Sequence, residues 1–428
     1  ILREHAPGRP VTHNFMANSF DFDHYAVAAD LDFACWDSYP LGALWHGNLG
    51  EDEKLERLRT GSPDYQAFYC DLYRHAGGGK AWITEQQPGP VNWADHNPAP
   101  AAGMVRLWTW QAYAHGVDTV CFFRWRQAAS GQEQYHSGLL LPDGTPGAAY
   151  HEVAQVARER RRLPEAGRRE PAPVALVLDY PSRWALEILP QGMDVPGRAA
   201  LWDWYCALAQ LGVDADIVAP GADLSGYRLV CVPSLAVCTE EFAARLRAAD
   251  ARVLLGPRSG SKTGDMHIPG ILPPGPLSAL IDLRVTGVES LPPGHAEQVI
   301  WQGCQYAVGG WRESMTTSEP VVATFAAPHG AGSPAIAGND RCRYLACLPQ
   351  GEFLTGFMAD CLAWAGIAAA PTGPDLRITR RGVLSFAFNF GAGPVELPAG
   401  KDAALLIGGR QIPPAGLAVW RAVAEPGG

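Results

Sequence analysis

The segment from Lys80 to Trp93, KAWITEQQPGPVNW, places a carboxylate where it could act as a nucleophile. Ala81, Trp82 and Ile83 form a short apolar run that reads as a buried strand, with Glu85 at its end. Gln86 and Gln87 follow, and a Pro-Gly-Pro turn leads to Asn92 and Trp93. A carboxylate held at the carboxyl end of a buried strand, partly dry and beside an indole face, suits attack on the anomeric carbon of a sugar. The segment also fits an N-capping or salt-bridged glutamate in a loop.

Further along, FFRWRQAASGQEQYHSGLL carries Glu133 and His136 three residues apart in a Gly- and Ser-bearing loop. Above a strand end this pair could accept from and donate to sugar hydroxyls; as a lone pair they would be a surface Glu and a surface His. Tyr39, at the end of FACWDSYP, could donate to Glu85 and tune its basicity, or stand as a wall aromatic with a satisfied hydroxyl. Two other motifs point to bland roles. Cys231 and Cys238 flank CVPSLAVC after a strand, but the nearest downstream histidine is His267 in a Gly/Pro-rich loop, so inert core thiols are expected. GPRSGSKTGD lacks the spacing of a phosphate loop. His13 and His24 lie near Asp21 and Asp23 without matching a metal-site pattern, so capping or solvated roles are expected and no metal.

The elements that must position these residues alternate over residues 1–165. Strands are expected at Val11 to Met16, Phe33 to Tyr39, Ala81 to Thr84 and Thr119 to Trp125. Helices are expected at Phe22 to Ala29, Pro63 to Ala76, Ala101 to Gly116 and Gly147 to Arg162. Alternation at this spacing implies parallel strands with helical crossovers. Each strand ends in polar or aromatic groups: His13 and Asn14, Asp37 and Tyr39, Glu85 and Gln86, Arg124 and Trp125. That is the pattern of a (β/α)₈ TIM barrel, yet only about half of its eight strands is present.

The linker RRLPEAGRREPAP separates this half-barrel from a second α/β region, 172–372. It shows strand-like runs at Val174 to Leu178, Leu229 to Pro233 and before Gly256. Helices are expected at Gly197 to Leu211, Glu240 to Ala249 and Gly351 to Gly366, and a hairpin at Ile336 to Pro349. Residues 373–428 alternate polar and apolar with turn glycines, which fits a small antiparallel β domain.

With 428 residues the chain can fill two or three cores. A net charge of −10 and no basic run with interleaved aromatics argue against a nucleic-acid partner, and no apolar stretch is long and clean enough for a bilayer. The ten cysteines are scattered singly, most within apolar segments, as buried reduced thiols of a cytoplasmic protein would be. The fourteen tryptophans suit core packing and sugar stacking equally, so their number does not decide between the two.

Taken together, THNFMANSFDFDHYAVAADLDFACWDSYP, TEQQPGPVNWADHNPAPAAGMVRLWTWQAYAHG and FFRWRQAASGQEQYHSGLLLPDG closely resemble glycoside hydrolase family 42, the retaining β-galactosidases. The resemblance continues through GPRSGSKTGD and ILPPGPL and covers essentially the whole chain. It implies that Glu85 is the nucleophile on the seventh barrel strand and that Tyr39, Trp93, Glu133 and His136 line the galactose subsite. It implies a galactoside substrate, no cofactor, and an amidotransferase-like middle domain that mediates trimer formation. The family's cysteine-rich zinc site would lie in the first half of the barrel. The family's general acid/base is a Glu after an Asn, and this chain contains no Asn-Glu dipeptide. The expectation is therefore the carboxyl-terminal part of such an enzyme, its amino-terminal barrel half being a separate polypeptide, lost, or replaced by a second copy. The alternative is a truncated, non-catalytic sugar-binding or assembly protein built from the same parts.

Overall fold

The computed structural model describes residues 1–46, 49–192 and 199–421. They gather into two compact units, Ile1–Glu170 with Thr372–Gly428, and Pro171–Pro371.

In the first unit, α1 (Leu2–His5) precedes β1 (Asn14–Met16), α2 (His24–Ala28) and β2 (Ala34–Ser38). Then come α3 (Glu51–Glu56), α4 (Tyr65–Ala76), β3 (Ala81–Gln86), α5 (Met104–Ala114), β4 (Val117–Phe122) and α6 (Ala148–Arg160). The four strands pair in parallel in chain order, β1-β2-β3-β4, leaving β1 and β4 at the edges. Parallel neighbours need long crossovers, and the helices supply them. On α4, Tyr69 and Tyr73 fall on one face; Tyr73 stacks on Phe15 of β1 at 5.2 Å and Tyr69 meets Trp36 of β2 at 5.6 Å. Each such buried ring contributes on the order of 1.5–3 kcal/mol. The helix ends at Gly77, where a Cβ would stand 2.2 Å from the Lys80 carbonyl oxygen and 2.6 Å from the Ala34 nitrogen. The last strand is Val117–Phe122, so the chain has already left the sheet at Arg124 and Trp125, earlier than the expected Trp125.

In the second unit, β5 (Val174–Val177), α7 (Tyr180–Ile188), α8 (Ala199–Gln210), β6 (Ala215–Val218), β7 (Leu229–Val232), α9 (Glu240–Ala248) and β8 (Arg252–Leu255) come first. Residues 197 and 198 of the helix expected from Gly197 lie outside the described residues. Next are β9 (Leu283–Ser290), β10 (Glu297–Trp301), β11 (Cys304–Val308), β12 (Trp311–Thr317), β13 (Val321–Phe325), β14 (Pro334–Gly338), β15 (Cys342–Leu345) and α10 (Gly351–Trp364). One nine-stranded sheet runs β11-β10-β13-β14-β15-β8-β7-β5-β6. It is parallel from β15 to β6 and antiparallel from β11 to β15, so the region is a mixed sheet. The expected hairpin near 336–349 is β14–β15; strands β6 and β9–β13 were not expected. Glu313 is buried here, and three donors compensate its desolvation: Tyr344 Oη at 2.6 Å, Arg258 N at 2.8 Å and Trp311 Nε1 at 3.1 Å.

The remaining strands are β16 (Leu376–Arg381), β17 (Leu384–Asn389), β18 (Val395–Glu396), β19 (Ala404–Ile407), β20 (Gln411–Ile412) and β21 (Leu417–Arg421). They form an antiparallel sheet, β16-β17-β21-β19, and a β18–β20 pair. Phe386, Phe388, Leu417 and Val419 share one core with Leu107, Trp108 and Trp110 of α5, which places these strands in the first unit.

Candidate active site

Parallel pairing of β2 with β3 sets Asp37 against Glu85 and Ser38 against Gln86. Tyr39, one residue past β2, therefore emerges beside Glu85, and its hydroxyl donates to Glu85 Oε2 at 2.5 Å. Burial lifts the Glu85 carboxyl above its ordinary range; the Tyr39 hydrogen bond pulls it down, Asp37 and Glu133 push it up, and Arg124 pulls it down. Burial, with the neighbouring Glu85 carboxylate, also holds the Tyr39 phenol well above its usual range, so it stays a donor.

Asp37 is buried, and burial raises its carboxyl. Its two oxygens are engaged by Asn14 Nδ2 at 2.9 Å and Thr84 Oγ1 at 3.0 Å. Gln87 braces the turn after Glu85: its Oε1 accepts from Leu41 N at 2.9 Å and its Nε2 donates to the Gly89 carbonyl at 2.8 Å.

Trp93 stands edge-on to Tyr39 with ring centres 5.3 Å apart and lies parallel to His46 at 6.0 Å. It is 45% exposed, leaving an indole surface open. Gly42 lies beneath it, where a Cβ would meet the ring at 2.5 Å. His136 is edge-on to Tyr39 at 5.7 Å and to Phe123 at 5.0 Å. It is buried, and burial lowers its ring below the usual range. Its Nδ1 lies 3.2 Å from the Ser137 carbonyl oxygen, and its Nε2 has no protein partner. Glu133 is paired with Arg124. The structure therefore draws Glu85, Tyr39, Trp93 and His136 into one cluster, with Glu133 at its edge facing Glu85 through its charge.

Several of these relationships were not foreseen. Asp37, Arg124 and Asn14 were visible only as polar strand ends, and nothing local signals the Arg124–Glu133 pair or the Asn14–Asp37 bond. His24 is not a solvated residue: it is buried among Phe15, Phe22 and Tyr73, which drives its ring down to about 4, while Asp23 caps α2. Cys121 and Cys304 are exposed, against the expectation of buried thiols, because each sits on a strand face left open. Cys231 and Cys238 are buried, and burial pushes the Cys238 thiol up to about 12, which leaves it inert at neutral pH. Among the described residues no group of three His, Cys, Asp or Glu side chains could hold a metal ion, and no helix is long and apolar enough to cross a membrane.

Three family profiles match in succession: β-galactosidase over residues 1–163, β-galactosidase trimerisation domain over 172–368, and β-galactosidase C-terminal domain over 375–422. A β-galactosidase from Thermus thermophilus is 48% identical over 422 residues, 98% of this chain and 64% of that protein. A β-galactosidase from Halorubrum lacusprofundi is 36% identical over 421 residues, 93% of this chain and 60% of that protein. The crystal structure of a β-galactosidase from psychrophilic Marinomonas ef1 matches with a TM-score of 0.94 and 40% identity, covering 98% of this chain and 65% of that one. The chain thus spans a little under two thirds of the length of these relatives. With all three segments matched in order along nearly its entire length, the chain belongs to the glycoside hydrolase family 42 β-galactosidases.

Proposed function

We propose that this chain is the carboxyl-terminal portion of a retaining β-galactosidase that hydrolyses terminal β-D-galactosides by double displacement. Residues 1–165 supply strands five to eight of a (β/α)₈ barrel, 172–372 a trimerisation domain, and 373–428 a small β domain. Glu85 attacks the anomeric carbon and forms the glycosyl-enzyme intermediate, which water then hydrolyses. The observation that carries this reading is the half-buried Glu85 carboxylate, held by Tyr39 at 2.5 Å at the end of a parallel strand and grouped with Trp93 and His136.

A retaining enzyme also needs an acid that protonates the leaving oxygen and later deprotonates water. The carboxylates facing Glu85 are poor candidates. Asp37 has both oxygens engaged by Asn14 and Thr84, and Glu133 is paired with Arg124. Among the described residues, then, neither carboxylate that faces Glu85 is free for this role. On this reading the acid/base lies on the amino-terminal half of the barrel, as the resemblance to the family implies. Trp93 offers the apolar face for the galactose ring, and Glu133 and His136 hold its hydroxyls.

The test is hydrolysis of a chromogenic β-galactoside by the chain alone and by the chain joined to the amino-terminal segment of the Thermus relative. Activity should appear only in the joined form and vanish in Glu85→Gln. Undiminished hydrolysis by Glu85→Gln would overturn the assignment.

A further inference from the structure

Arg124 stands where three constraints meet at the end of β4. Its carbonyl accepts from Leu139 N at 2.8 Å, tying the far end of the 126–138 loop to the strand exit. Its guanidinium lies 4.6 Å over the Phe123 ring, and Phe123 is edge-on to His136. The same guanidinium donates to Glu133 Oε2. The loop itself is held independently, by His136 N to the Glu133 carbonyl at 3.0 Å and by Asn92 Nδ2 to the Gln132 carbonyl at 3.3 Å. The backbone under Glu133 is thus fixed, and what Arg124 adds is the direction of the carboxylate.

We propose that Arg124 is the positioning residue of this pocket, fixing the Glu133 carboxylate as a hydroxyl acceptor and shielding Glu85 from its charge. The inference rests on the assignment of Glu85 as nucleophile. Glu133 is 46% exposed on its side chain and would otherwise sample many rotamers, whereas Arg124 is 22% exposed and stacked. Pinning a flexible acceptor before the sugar arrives removes an ordering cost from binding. The second role follows from the charges around Glu85. Tyr39, Asp37, Glu133 and Arg124 face it, and of these only Arg124 is cationic. Without that cation, two carboxylates act on the nucleophile unopposed, and a like charge disfavours the ionised form. Lysine cannot substitute fully, because the planar guanidinium both stacks on Phe123 and bonds Glu133.

The experiment measures kcat and KM against pH for the joined protein with an aryl β-galactoside. Arg124→Ala should raise KM at least about tenfold with a smaller fall in kcat, and move the acid limb of kcat/KM to higher pH. Adding Glu133→Gln to Arg124→Ala should return the acid limb to its parental position while KM stays high. Glu133→Gln alone leaves the guanidinium unopposed and should move the acid limb to lower pH, a readout that survives if Arg124→Ala fails to fold. Arg124→Lys should fall between parent and Arg124→Ala in KM. An unchanged acid limb in Glu133→Gln, or a shift in Arg124→Ala that Glu133→Gln does not reverse, would overturn the proposal. Glu85→Gln separates the two readings: if it is inactive while the Arg124 variants match the parent, only the Arg124 role fails, and if it is active the nucleophile assignment fails first.

Discussion

The Tyr39 hydroxyl and the Glu85 carboxylate, 46 residues apart in sequence, share one 2.5 Å hydrogen bond across adjacent parallel strands. Burial disfavours the ionised carboxylate and is the larger influence, so the Glu85 carboxyl stands above its ordinary range, while the Tyr39 bond favours the ionised form and pulls it back down.

Removing the donor should expose this balance. In Tyr39→Phe the carboxylate loses its stabilising bond, so its ionisation moves to higher pH. A nucleophile works ionised, so activity falls as pH drops through that value, and the acid limb of kcat/KM should shift upward. A hydrogen bond to a charged group contributes about 1.5–3 kcal/mol, so kcat/KM on the acid side should fall by roughly 10- to 100-fold. A pH–rate profile checks this.

Asp64 and Arg377 tie α4 to β16 through a two-pronged buried pair, Nε to Oδ1 at 2.5 Å and Nη2 to Oδ2 at 2.7 Å. Asp64→Ala leaves a buried guanidinium without its main counter-charge and should cost about 3–5 kcal/mol. The paired change Asp64→Leu with Arg377→Met should cost less than Asp64→Ala alone. Denaturant unfolding of the parent and the two variants reads the difference.

Asp71 is buried beside His115 Nδ1 at 3.0 Å, Arg74 Nη2 at 3.1 Å and Arg169 Nε at 3.8 Å. Burial alone would raise its carboxyl, but these three partners hold it well below the usual range. A carboxyl depressed in the folded state stabilises above its unfolded value, about 3.9, and that contribution is lost as pH falls through the folded value. Asp71→Asn should therefore be destabilised by about 3–5 kcal/mol at neutral pH, with the gap to the parent narrowing below about pH 4. Stability curves at several pH values test it.

The proposed homotrimer needs an apolar contact surface in the second unit. Ile268 and Ile271 are 78% and 63% exposed within one Pro- and Gly-rich loop, and Leu272 beside them is also exposed. Large exposed apolar side chains in one patch mark contact surfaces. Ile268→Asp with Ile271→Asp should shift the joined protein toward monomer in sedimentation velocity while leaving its circular dichroism unchanged.

What could be read ahead of the structure follows the physics of each region. The β3 end was legible because AWIT is a compact apolar run and Glu85 breaks it abruptly. The nearness of Tyr39 to Glu85 then follows from parallel register alone. The helix α7 escaped notice although Pro181 lies in its first turn, a position where proline is tolerated. Strands β9 to β13 escaped because their cue is weak: Leu283 and Val285 alternate with exposed Arg284 and Thr286 for only a few residues before Gly287 and Pro292 intervene. The Arg124–Glu133 pair depends on how a loop folds back over a strand end, which no periodicity encodes.

The most direct measurement is covalent trapping. A 2-deoxy-2-fluoro-galactoside with an activated leaving group forms the glycosyl-enzyme without an acid and slows its hydrolysis, so it reports the nucleophile by itself. The joined protein is treated with this probe, digested and read by tandem mass spectrometry. The account predicts a single fluorogalactosyl group on Glu85, lost in Glu85→Gln. Labelling of another carboxylate with Glu85 unmodified would contradict it.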